Sequence, residues 1–210
     1  MSVYFKTMIK KASKTVSYLF HPVLMPMAGI LVILAFSHLS LLPHNGKAAI
    51  LWIVSLTTLF FPLAMLPIFY YYKVITGITM SESRERILPM LSTAGFYYFG
   101  YYLMHRSAAP LILQQFLLAT FVSLLIATAV HLKWKISLHM IGIGGFIGLL
   151  SVLGVLYQSQ LNNLLMVSIF MAGLIGSSRL YLEEHNPSQI YSGFMLGFII
   201  TSGLMLSLNL

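Results

Sequence analysis

The sequence predicts an all-α polytopic bundle that crosses a membrane about seven times, and three observations carry that expectation. Of the 210 residues, 59% are hydrophobic and only 8% charged, with a mean hydropathy of +0.89. A water-soluble surface needs roughly 25 to 35% charged residues, so lipid is the solvent for most of this one. The charges fall in short clusters that leave windows free of Lys, Arg, Asp and Glu at 15–46, 48–72, 87–105, 107–132, 136–178 and 185–210. These windows are continuously apolar, without the period-two alternation of lipid-facing strands, and helices satisfy their own backbone hydrogen bonds in lipid.

A hydrocarbon core of about 30 Å takes roughly 20 apolar residues of helix, which sets what each window holds. The first follows MSVYFKTMIKKASK, is too long for the apolar part of a signal peptide and lacks an A-x-A-like cleavage site, so it reads as an uncleaved first span. The second window holds one span. The third span, about 89–104, is short and carries Gly95, Gly100 and a run of tyrosines and phenylalanines, a composition suited to a tilted or partly interfacial helix. The window 107–132 holds the fourth. The window 136–178 is about twice the necessary length and is interrupted by Gln158, Ser159, Gln160, Asn162 and Asn163, which suit an interfacial turn, so it holds two spans. The seventh lies in 185–210. No linker or repeat divides the chain, so 1–210 reads as a single transmembrane domain.

Charge orients this bundle. With the N-terminus in the cytoplasm, Lys6, Lys10, Lys11, Lys14, Lys73, Arg84, Arg86, Lys133, Lys135 and Arg179 lie inside and only Lys47 and Arg106 outside, which puts the C-terminus outside. This is the pattern of an integral multi-pass protein of a bacterial cytoplasmic membrane. The net charge of +8 is therefore a topology signal rather than a nucleic-acid footprint. With no cysteine, thiolate metal sites and cysteine nucleophiles are excluded.

Three polar segments stand out, SESRERILP at 81–89, KWKISLH at 133–139 and SSRLYLEEHNPSQ at 177–189. Each follows an even number of expected spans, so all three belong to one membrane face. Helix packing could gather Arg86, Ser137, His139, Arg179 and His185 into a basic pocket suited to a phosphate.

These residues resemble the type 2 phosphatidic acid phosphatase superfamily, whose pattern is KxxxxxxRP, PSGH and SRxxxxxHxxxD spread over membrane helices. Ser178, Arg179 and His185 reproduce the spacing of the third motif, and NPSQIYSGFMLG looks like its continuation into the last helix. Ser137 and His139 match the Ser and His of the second, with Ile136 and Leu138 replacing its Pro and Gly. Arg86 stands for the Arg of the first, but Thr79 occupies its Lys position and Pro89 follows three residues later. The resemblance covers about 81–210 and implies a six-helix core, here with extra helices.

It further implies a phosphohistidine mechanism on a lipid phosphate or pyrophosphate. His185 would be the nucleophile and His139 the general acid, while Arg179, Arg86 and Ser137 would bind the phosphoryl oxygens. Neither metal nor other cofactor is implied; the partners are a membrane lipid substrate and the bilayer. The family's orienting Asp is Gln189 here, and the chain contains no Asp. Gln189 can accept a proton from the His185 ring and fix its tautomer, without the charge. Glu183 and Glu184 are candidates to supply a carboxylate instead. An inactive relative that binds phospholipid headgroups or supports a membrane complex is the alternative. His21, His38, His44, His105 and His131 read as structural, Lys73, Lys133 and Lys135 as topology anchors, and the glycines of 142–148 as a helix-packing face.

Overall fold

In a computed structural model, residues 3–77, 84–157 and 161–207 are described, with side chains from residue 5. Thr79, the front of the 81–89 segment and the polar turn at 158–160 lie outside them. The described residues are helical with short connections and contain no strand. The longer helices are α1 (Val3–Leu19), α2 (Met25–Phe36), α3 (His44–Ser55), α4 (Phe61–Tyr71), α5 (Ile87–Arg106), α6 (Leu111–His131), α7 (Leu138–Tyr157), α8 (Asn162–Tyr181) and α9 (Pro187–Ser207).

Six segments are long and apolar enough to cross a membrane: Phe5–Phe36, His44–Tyr71, Leu111–His131, Leu138–Tyr157, Asn162–Tyr181 and Pro187–Ser207. The long window thus splits into two helices, α7 and α8, as its central polar residues predict. The helix expected as the third span is α5; its 20 residues are long enough, but its aromatic, glycine-bearing composition leaves it outside the six.

The first window departs from a single helix. The chain breaks between α1 and α2 at Phe20 and His21, where His21 is extended (ψ 134°) and its ring accepts from the Val23 N–H (3.4 Å) to start a 3₁₀ turn at Pro22–Leu24. Pro22, which lacks an N–H, suits the start of that turn. The second span is also interrupted, by a π-helical turn at Leu56–Phe60 between α3 and α4.

α7 is the central helix, packed against α2, α6, α8 and α9. It is apolar on all sides, the pattern of a helix buried within a bundle. Its closest neighbour is α9, which runs parallel to it. A methyl group at Gly148 would sit 2.9 Å from the Phe198 carbonyl oxygen, and one at Gly193 2.8 Å from that of Ser137. At Gly144 and Gly197 it would collide with the Phe194 and Ile141 carbonyls. Gly144, Gly145 and Gly148 are thus half of a small-residue seam whose other half is Gly193 and Gly197, while Gly142 faces Met25. Because the pairing is parallel and in register, it brings the start of α7 beside the start of α9.

Candidate functional site

The site lies where the beginnings of α7 and α9 meet the end of α8. Two local devices set the path of the chain between α8 and α9. α8 closes in a Schellman turn, with the Glu183 N–H donating to the Leu180 carbonyl (2.9 Å) and the Glu184 N–H to that of Arg179 (3.2 Å). Glu183 takes the left-handed position at φ 55°, where glycine is the usual residue. α9 opens with a reciprocal capping box. Asn186 Oδ1 accepts from the Gln189 N–H (3.0 Å), and Gln189 Oε1 accepts from the Asn186 N–H (3.1 Å), with Pro187 at the first helical position. His185 is held between these two caps.

The His185 ring is 9% exposed, and its Nδ1 lies 3.2 Å from Gln189 Oε1. That amide oxygen can only accept, so the contact is a hydrogen bond when Nδ1 carries the ring proton. The ring is also hydrogen-bonded to the Lys135 backbone. Burial, followed by the positive charge of Arg179, lowers the His185 pKa to about 4, against the smaller upward pull of Gln189. At neutral pH the ring is therefore an uncharged base.

Ser137 precedes α7 and is fully buried; its N–H donates to the Gln189 carbonyl (3.4 Å), which ties the two helix starts together. Its Oγ is buried without a hydrogen-bond partner, and so is Arg179 Nε. Buried polar atoms usually find partners, and these two are exceptions. The Arg179 guanidinium meets Glu184 through Nη2 (3.6 Å), and Lys135 reaches the same carboxylate oxygen (3.7 Å). Lys135 is depressed below its ordinary pKa, first by burial and then by the charge of Arg86, so Arg86 is close enough to be felt there.

His139 sits in the first turn of α7 and faces the N-terminal segment. Its Nε2–H donates to the Ser17 carbonyl of α1 (3.1 Å), and the His21 ring lies edge-on to it with centroids 5.8 Å apart. Arg179 Nη1 donates to Ser17 Oγ (3.4 Å), which in turn donates to the Ser13 carbonyl (3.0 Å).

Residues drawn from distant stretches of sequence thus gather at one end of the bundle. Ser137 and Gln189 share a backbone hydrogen bond, His185 rests on Gln189, Arg179 and Lys135 pair with Glu184, and the charge of Arg86 is felt at both cations. Neither acidic candidate for the missing carboxylate meets the His185 ring: Glu184 pairs with the two cations, and Glu183 is exposed on the turn. Sequence reading gave Lys135 to topology and His21 to structure, and passed over Ser17. Lys135 is two residues from Ser137, a proximity that could have flagged it; nothing local distinguishes Ser17 or His21, which arrive through the α1–α2 break. No family model, curated protein or solved structure matches the chain, so its activity is inferred from the residues of this site.

Proposed function

We propose that the chain is a divergent, membrane-embedded phosphatase of the type 2 phosphatidic acid phosphatase kind, acting on a lipid phosphate or pyrophosphate through a phosphohistidine. The observation that carries the reading is the convergence of a neutral His185 with Arg179 and Ser137, each of which has a buried polar atom without a partner. In the reaction, His185 Nε2 attacks phosphorus and the bond to the leaving oxygen breaks, with His139 as the proton donor to that oxygen. Water then attacks phosphorus, returns a proton to His139 and breaks the bond to His185 Nε2, which releases phosphate and restores the neutral ring. Arg179, Arg86 and Ser137 bind the equatorial oxygens, where the charge gathers. A lipid substrate fits a site at the end of a bundle, where a headgroup can meet the cations while its chain stays in hydrocarbon. In this reading α5 completes seven spans, the site faces the cytoplasm and the C-terminus lies outside. Labelling single cysteines introduced into this cysteine-free chain tests that orientation.

A second reading, an inactive relative that binds headgroups, is favoured by the neutral Gln189 and by the two hydrogen bonds that hold the His185 ring. Phosphate release from a panel of lipid monophosphates and pyrophosphates separates the two. Turnover by the wild type that His185→Ala abolishes supports the enzyme. A wild type as inert as the variant, with both binding the lipids, rejects it.

A further inference from the structure

We propose that Glu184 is a tethered competitor for the candidate site: its carboxylate occupies the place between Arg179 and Lys135 that a phosphoryl oxygen takes on binding, and it swings out when one arrives. The inference rests on the reading that this site receives a phosphoryl group, from a lipid headgroup or from free phosphate, but it does not rest on turnover.

Two cations held close together at the end of an apolar bundle need an anion between them, because like charges repel and burial penalises each. Arg179 lies in the last turn of α8 and Lys135 in the segment before α7, so the two meet only through the fold. Among the described residues, the ion-pair partner they share is Glu184 Oε2, 3.6 Å from Arg179 Nη2 and 3.7 Å from Lys135 Nζ. Burial and then Arg86 push the Lys135 pKa down, and Glu184 pulls it back up. The carboxylate thus does for the empty site what an anionic ligand does for the filled one.

Its hold is loose. Both separations exceed the roughly 2.7 to 2.9 Å of a charge-assisted hydrogen bond, and one oxygen is shared between two cations. On the same guanidinium, Nε is buried without a hydrogen-bond partner. A phosphoryl group brings three acceptor oxygens in a tetrahedral array and more charge than a carboxylate, so it can meet both cations at closer range.

Glu184 also has somewhere to go. Its side chain is 40% exposed, against 29% for Lys135 and 11% for Arg179, so the carboxylate can turn into water while the cations stay in place. Its backbone is fixed by the Schellman turn, in which its N–H donates to the Arg179 carbonyl. That short tether keeps the carboxylate at a high effective concentration beside the cations. An internal competitor of this kind weakens every phosphoryl ligand by the same factor, inorganic phosphate included, and so favours its release. Glu183, exposed on the same turn and without an ion pair among the described residues, provides the control.

The test is isothermal titration calorimetry of the full chain in a nonionic detergent with two probes, inorganic phosphate and a short-chain lipid phosphonate whose C–P bond resists hydrolysis. Glu184→Gln should bind both about fivefold more tightly, the scale of partly exposed ion pairs, and by equal factors. High salt should shrink the gain. Glu183→Gln removes the same formal charge one residue away and should leave both constants within about twofold of the wild type. With both probes tightened equally, the one that the wild type holds more firmly identifies the source of the ligand. Weaker binding by Glu184→Gln would make Glu184 a brace for the cations and overturn the proposal. So would tightening of one probe alone, an equal gain in Glu183→Gln, or no binding of either probe by either protein. A chain that binds both probes as expected but hydrolyses no lipid phosphate loses the phosphatase reading and keeps the competitor.

Discussion

The α7–α9 seam and the packing of α1 along α8 both border the candidate site, but they are built from different contacts. In the seam, glycines bring backbone against backbone, so that a methyl group at Gly193 would press on the Ser137 carbonyl. Between α1 and α8 the contacts are side chains and a few polar bonds, with an apolar groove of about 310 Å³ left between Ile9, Val16, Leu174 and Tyr181. A close-packed seam has essentially one arrangement, whereas an element held by a handful of hydrogen bonds opens at lower cost. Ser137 and Gln189 are accordingly fixed relative to each other, while the cover over His139 can yield.

The severest way to break this comparison is to wedge the seam open. Gly197→Leu places a branched side chain where even a methyl group would meet the Ile141 carbonyl. The expected loss is about 3 kcal/mol or more, the upper end of overpacking. Thermal unfolding in detergent should show it as a large fall in midpoint. If Gly197→Leu unfolds like the wild type, the seam is not what positions the site.

Much of this architecture is legible in the sequence. Hydropathy and charge spacing delimit α6, α7, α8 and α9, and the polar interruption near residue 160 separates α7 from α8. The parity of the expected spans puts Ser137 and His185 on one membrane face, and in the structure Ser137 is hydrogen-bonded to Gln189, four residues after His185. The break after α1 was hidden because Phe20 and His21 do not interrupt hydropathy; the turn depends on His21 capping its own neighbour. Ser17 was hidden for a related reason: its role comes from packing against Arg179, 162 residues away, and no local pattern encodes that. Gln189 was legible as a replacement for a motif Asp but not as a partner in the α9 capping box, although N-P-S-Q carries that signature.

Gln189 offers a test of intermediate size. In the proposed phosphatase, Gln189→Asp restores a carboxylate beside His185 Nδ1, where the amide now accepts at 3.2 Å. Turnover should rise tenfold or more, about 1.4 kcal/mol of barrier. The sign for pH follows from the charges: burial and Arg179 disfavour the imidazolium and hold the pKa at about 4, while a carboxylate favours it. The acid limb of kcat/KM, near pH 4 in the wild type, should therefore move up in the variant. A limb that stays put means the limb does not report His185.

The smallest effect belongs to the contact of α1 with α8. Ser17→Ala removes the hydroxyl that accepts from Arg179 and donates to the Ser13 carbonyl, but keeps the backbone carbonyl that holds His139. The expected loss is about 1 kcal/mol, the net value of a typical hydrogen bond, or roughly a third of that from Gly197→Leu. Both variants belong in one series of unfolding measurements in the same detergent, since the ratio of their effects matters more than either value. A Ser17→Ala penalty equal to the Gly197→Leu penalty would mean that α1 is anchored as firmly as the seam. The contrast between a fixed floor and a yielding cover would then fail, whatever reaction the site performs.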